Sequence, residues 1–320
     1  MPIALATPGN AEHLVLTGGR TIDGTVIRET DTTLTIEVRD VGVSMTETIN
    51  KAYVESRDTP TRKGAPYVVI PLRGAIGDDV TADALRAGLA EARLANPEFI
   101  ILEIDSPGGD IGQMVDMLGV LKAVTDAKII AYVKKAHSAA AIIAMSCSQV
   151  YMRPGATLGA TVPFRMTANG PADVDAKFRS VVEAQMRSAT QRGGHADLLI
   201  RGMSEIDLEL YLTEDNGKPS LRTSGPGKCI KSKGQILTLT TAEAVTCGLA
   251  HAVQSMEELG TKVCGGAWYE VNRLAYDTTV ATVAMERQQA RDVMMTRERA
   301  LARNKVIADI APQWEDITRR

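Results

Sequence analysis

Glu103-Ile104-Asp105-Ser106-Pro107-Gly108-Gly109-Asp110 is the stretch from which the architecture of this chain is read. It continues an apolar run, Phe99-Ile100-Ile101-Leu102, with the pattern of a strand covered on both faces. Pro107 ends that strand, and the paired glycines permit the backbone angles of a sharp turn. Beyond the turn, Ile111, Met114, Val115, Leu118 and Leu121 recur at helical spacing. A strand, a double-glycine turn and a helix start leave amide N–H groups pointing into open space. Such donors hold a phosphate, or the oxyanion formed during acyl transfer. A tight turn without chemistry accounts for the same residues, and Pro-Gly-Gly alone does not choose.

Working outward, Tyr67-Val-Val-Ile70 and Ile129 to Val133 are further continuous apolar runs. Helical patterns separate them: Val80, Leu85, Leu89 and Ala92, then the 111–124 segment. This alternation implies an α/β fold with right-handed crossovers and a largely parallel sheet. Lys134-Lys-Ala-His-Ser138 leads into Ala139-Ala-Ala-Ile-Ile-Ala-Met145, a helix apolar all round and therefore buried. A serine at such a helix start is ordinarily an N-cap. Gln149 to Met152 reads as a short strand, and Pro154-Gly155 through Gly159-Ala160 as a loop. Pro171 precedes a helix carrying Lys177, Phe178, Val181, Val182 and Met186. A hairpin turning at Asp215-Asn216-Gly217 is expected within residues 207–238. Thr240-Thr-Ala-Glu243 is a capping box opening a helix that stops at Gly248.

The ends differ in character. Residues 12–57 alternate in short β-like runs and resemble the small Sm-like or SH3-like barrels, giving an expected β-module over 1–60. Residues 58–65 read as a linker, and 267–320 as a charged helical arm. There are no internal repeats.

Composition narrows the function. With 44% hydrophobic and 23% charged residues among 320, the chain is ordinary for a globular protein. A net charge of −3 gives no reason to expect nucleic acid. Cys147, Cys229, Cys247 and Cys264 form neither a C-x-x-C pair nor a metal-ligand spacing, so no metal or other cofactor is expected. Cys147 reads as core, and disulfides among the other three stay open. The first ten residues lack a basic start and an apolar core, so they do not read as a signal peptide, although a chain trimmed of its signal would look the same. No run approaches the roughly 18 apolar residues of a membrane span. The expectation is a soluble chain, cytoplasmic or, with a signal removed, periplasmic.

With these pieces placed, residues 66–256 resemble the ClpP/crotonase superfamily, above all the protease domain of NfeD-type membrane-associated serine proteases. Signal peptide peptidase A is a more distant cousin. The likeness rests on Ile70-Pro-Leu-Arg-Gly74, Glu103 to Gly109, Ser138 at the buried helix, Met152-Arg-Pro-Gly-Ala-Thr-Leu-Gly-Ala160, and Leu239 to Leu249, in that order. The resemblance implies a serine peptidase with Ser138 as nucleophile and Lys177 as general base. It places the oxyanion hole at the amides of Gly109 and Ala139, and substrate binding at Gly108 and the strand from Met152. It further implies a peptide or protein substrate, membrane-protein segments among them, and a homo-oligomer. A serine hydroxyl needs a base, and a lysine serves only if burial lowers its pKa from about 10.4. Phe178, Val181 and the 139–145 helix are the expected source of that burial.

This chain departs from the family pattern in having Ala139-Ala140-Ala141 after the serine and His137 before it. Two other readings stay open: a crotonase-like acyl-CoA enzyme using Asp110 or Asp116, and an inactive scaffold of the same fold. His137 and His195 are alternative bases, whereas His13 and His251 read as surface or packing residues.

Overall fold

Alternating apolar residues draw the first strands of the computed structural model onto a core of their own; residues 11–40, 43–58, 63–167 and 170–318 are described. Strands β1 (Ala11–Leu16), β2 (Thr21–Glu29), β3 (Thr33–Asp40), β4 (Val43–Asn50) and β5 (Val54–Asp58) form an antiparallel sheet ordered β4-β3-β2-β1-β5. Leu14, Ile22, Val26, Leu34, Ile36 and Ile49 fill its inner face.

The continuous apolar runs form the second sheet, as their two-sided hydrophobicity requires. Its strands and crossovers run β6 (Ala65–Arg73), α1 (Ala82–Leu94), β7 (Phe99–Ser106), α2 (Ile111–Lys122), β8 (Lys128–His137), α3 (Ala139–Met145) and β9 (Gln149–Met152). Strands β6, β7 and β8 pair in parallel, with Ile70 opposite Leu102 and Leu102 opposite Ala131. Strand β8 then forks. Ile130–Val133 pair with β9, while Ala136 and His137 pair with β10 (Thr157–Gly159). Every residue of α3 is buried, so the helix apolar on all faces is interior, as its sequence demands. Ile142, Ile143 and Met145 each contribute roughly 1.5–3 kcal/mol by their burial.

A hairpin, β11 (Phe164–Thr167) and β12 (Gly170–Asp173), precedes α4 (Ala176–Gly193) and α5 (Asp197–Ser204). That hairpin has no strand signature, since Gly170 and Pro171 occupy its second arm; the helix expected after Pro171 begins only at Ala176, capped by Asp175. The expected hairpin turns at Asn216-Gly217 between β13 (Leu210–Asp215) and β14 (Lys218–Arg222), with β15 (Lys228–Lys231) alongside. Both turn residues have positive φ, 50° and 75°, as a two-residue hairpin turn requires. Strand β16 (Thr238–Thr240) leads into α6 (Thr241–Thr246), where Thr240 and Glu243 close the capping box.

Strand β17 (His251–Ala252), α7 (Met256–Cys264) and β18 (Trp268–Glu270) complete the sheet. The tail is therefore not helical from its start: Trp268 stacks on Tyr67 at 4.1 Å, and β18 pairs in parallel with β6. The Ala65 amide donates to the Ala267 carbonyl at 3.0 Å. Helix α8 (Leu274–Thr318) begins in the core, with Ala275 buried against it, before its exposed length. Gly88 lets α1 meet α8 closely, because a Cβ there would overlap the Thr279 hydroxyl. All four cysteines are unpaired. Among the described residues, no helix is long and apolar enough to cross a membrane.

Candidate active site

The turn between β8 and α3 is abrupt because an all-apolar helix must enter the core directly from the end of a parallel strand. Ser138 takes that turn with φ 51° and ψ −124°, a conformation rare for a residue with a side chain. Its amide is held by the carbonyls of Gly159 and Ala160, both at 3.0 Å. Its hydroxyl makes no capping bond, so the ordinary N-cap role is not what the structure gives it.

The glycine pair lies directly against this turn. A Cβ on Gly108 would sit 2.6 Å from the Ser138 Cβ and the His137 carbonyl, and one on Gly109 would overlap the Ile76 carbonyl. The Ile76 amide donates to Gly108 O at 2.9 Å, and the Asp110 amide to Ile76 O at 2.8 Å. Between those bonds, the Gly109 N–H has no acceptor among the described residues. Neither has the Ala139 N–H, an unsatisfied donor of the first turn of α3. Ser138, Gly109 and Ala139 thus share one cleft of about 790 Å³.

The walls of the cleft are largely apolar, with Asp78, Asp110, Gln113 and Thr161 among them. Its apolar lining comes from Ile76, from Ile111, Met114 and Ile142 of α2 and α3, from the 162–164 segment, and from Val174 with Phe178, Val182 and Met186 of α4. Thr161 is buried among them, its hydroxyl without a partner in the described structure and its amide donating to Met203 O at 2.7 Å. Sequence reasoning missed Thr161, Ile76 and the 164–173 hairpin, since none carries a motif. The only available signal was the run Gly159-Ala160 one step before Thr161.

Lys177 lies on the first turn of α4, in the chain between Val174 and Phe178, which both line the cleft. Its side chain is exposed. The expected burial is absent, because Phe178 is 43% and Val181 56% exposed. Lys231 is the buried lysine, and burial lowers its pKa, but its Nζ is committed to the carbonyls of Ile206, at 3.2 Å, and Leu208, away from the cleft.

Two residues expected to bind substrate have backbone groups that are already engaged. Met152 is wholly buried in β9, between β8 and β17, and its carbonyl accepts from Val253 N at 3.0 Å. Gly108 lies behind the site rather than in it, with its amide on the Ser106 hydroxyl at 3.1 Å and its carbonyl on Ile76.

The histidines are also engaged elsewhere. His137 Nε2 meets Thr157 Oγ1 at 2.8 Å, and burial, with Lys135 nearby, depresses its pKa. His195 Nε2 donates to Cys147 O at 2.8 Å, and its pKa is likewise lowered by burial. His13 pairs with Asp23, and His251 packs on Tyr151. Asp110 caps α2, accepting from Gln113 N at 2.7 Å, and Asp116 is exposed.

Residues 67–265 match the family described as NfeD1b, N-terminal domain. The chain belongs to that family. Every cleft residue named above falls within the span matched to NfeD1b. The membrane protein NfeD1b of Bacillus subtilis (strain 168) is 28% identical over 171 residues, 53% of this chain and 35% of that protein. The chain thus spans about a third of the length of that NfeD1b relative.

Among solved structures, a variant of the 1510-N membrane-bound stomatin-specific protease with a substrate peptide has a TM-score of 0.47 at 22% identity, over 62% of this chain and 78% of that one. A second variant of that protease gives 0.48 at 22%, over 66% and 93%. The ClpP protease catalytic domain from Plasmodium falciparum gives 0.39 at 16%, over 59% and 85%.

Proposed function

We propose that this chain is a serine endopeptidase with a Ser138–Lys177 dyad. The observation that carries the reading is the uncapped Ser138 hydroxyl, held at positive φ beside the unpaired amides of Gly109 and Ala139. In this reading Ser138 Oγ attacks a peptide carbonyl while its proton passes to Lys177 Nζ. The two amides hold the oxyanion. Collapse expels the amine, which takes the proton from Lys177, and a water deprotonated by the same lysine releases the acyl group. A bound peptide, covering the first turn of α4, supplies the dry surroundings that Phe178 and Val181 alone do not.

The apolar walls support apolar, unstructured segments as substrates. Self-association belongs to the same reading, with the exposed Val293, Met294 and Leu301 of α8 as its surface. An acyl-CoA enzyme has less support, because the Asp110 carboxylate is used as a helix cap.

A fluorophosphonate probe tests the reading. Labelling at Ser138, lost in Ser138→Ala together with cleavage of an apolar peptide, is the expected result. Coenzyme A binding without labelling would move the assignment to the acyl-CoA class.

A further inference from the structure

The loop between β6 and α1 touches the oxyanion turn on one side and α8 on the other. Its inner edge is Ile76, whose amide and carbonyl bracket Gly109 through Gly108 O and Asp110 N. Its outer edge is Asp79. One Asp79 carboxylate oxygen accepts from the Ala75 amide at 2.7 Å, and the other pairs with Arg287 of α8. Arg287 Nε also donates to Asp78 O at 3.1 Å. One residue earlier on α8, Glu286 accepts from the Thr81 hydroxyl at 2.8 Å, at the start of α1. Helix α8 therefore grips the half of this loop next to α1, at Asp78, Asp79 and Thr81.

We infer that Arg287 is a positioning residue for the oxyanion turn. The inference rests on the reading that the Gly109 amide stabilises the oxyanion. Since the Gly109 peptide lies between two hydrogen bonds to the Ile76 backbone, a shift of Ile76 moves the amide with it. Ion pairs as exposed as Arg287–Asp79, 46% and 40%, add little to stability. The pair's effect therefore falls on placement, and a misplacement of about 1 Å costs up to roughly 10²-fold in rate.

The test uses the full chain, a fluorophosphonate probe and an apolar fluorogenic peptide. Arg287→Ala should lower both kcat and the labelling rate at Ser138 by about tenfold, a fraction of that limit. KM should stay within about twofold and the melting temperature should hold. Arg287→Lys, which keeps a cation on Asp79, should recover most of the loss, and Arg297→Ala, farther along α8, should match wild type. Should Arg287→Ala melt early, Arg287→Gln reads the same quantities with the side-chain stem kept. Wild-type labelling and kcat in the Arg287 variants, or a loss confined to KM, would overturn the inference alone. An unlabelled wild-type protein would instead overturn the peptidase reading, and this inference with it.

Discussion

Ser138 and Ala160 both hold positive φ, 51° and 52°, and the Ser138 amide donates to the Ala160 carbonyl. Each such conformation costs a residue with a side chain roughly 1–2 kcal/mol. Two at one hydrogen-bonded contact mean that the surrounding core over-determines the turn. Ala160→Gly should therefore be nearly neutral in urea unfolding, because relief of strain offsets the added freedom of the unfolded chain. Ala160→Val, with a branched Cβ at positive φ, should cost about 2 kcal/mol or more and slow probe labelling. A valine variant as stable as wild type would remove the argument for strain.

Gly109 and Gly119 provide a paired test. A methyl at Gly109 meets Ile76 backbone atoms, whereas one at Gly119, in α2, meets nothing within 4 Å. Gly119→Ala should stabilise by about 0.5–1 kcal/mol. Gly109→Ala should reduce turnover by at least about 10²-fold, the usual scale for losing an oxyanion donor. Equal behaviour of the two variants, measured by melting and by peptide cleavage, would contradict the assignment of Gly109.

For the base, the discriminating substitution is Lys177→Arg. A lysine base acts as the free amine, and a guanidinium does not give up its proton near neutral pH. Lys177→Ala and Lys177→Arg should each cost at least about 10²-fold in kcat, with melting unchanged for this exposed residue. If the lysine only binds substrate charge, arginine will substitute for it, and near-normal turnover in Lys177→Arg would end the dyad proposal.

His195 predicts a pH dependence of stability. Burial depresses its folded-state pKa, while its bond to the Cys147 carbonyl opposes that shift only partly. Once unfolded, it takes up a proton near pH 6.5, where the folded form still resists. The unfolded state then binds more protons, so the contribution is full above about pH 6.5 and is lost as pH falls through the folded pKa. Melting curves between pH 8 and pH 5 should therefore show a shallower acid decline in His195→Gln than in wild type. Parallel declines would mean that His195 does not contribute.

The parallel sheet was legible because its strands are unbroken apolar runs, and α3 because it is apolar on every face. The turn that sets Gly109 beside Ser138 and Ala139 follows local patterns, two glycines and a serine ahead of a buried helix, whereas the roles proposed for these residues came from the family resemblance. Thr161 was not legible, since its burial depends on Met203 and α4, which lie far along the chain. The surroundings of Met152 were not legible for the same reason: β17, which pairs with β9, arrives about a hundred residues later. The expected burial of Lys177 failed because helical spacing shows which residues share a face, but not whether anything packs on that face.

Ala65 and Ala267 are joined by a backbone hydrogen bond, and Gly64 leaves no room for a Cβ beside the Ala267 carbonyl. The first and last strands of the parallel sheet in chain order, β6 and β18, thus start side by side. A unit with adjoining ends is portable: it can be spliced into a loop of another chain, or have its own ends joined and be reopened elsewhere, with little disturbance to its interior. Whatever precedes residue 64 can be exchanged between proteins while the cleft around Ser138, built from residues 75–186, travels intact, provided that β18 and the start of α8 travel with it.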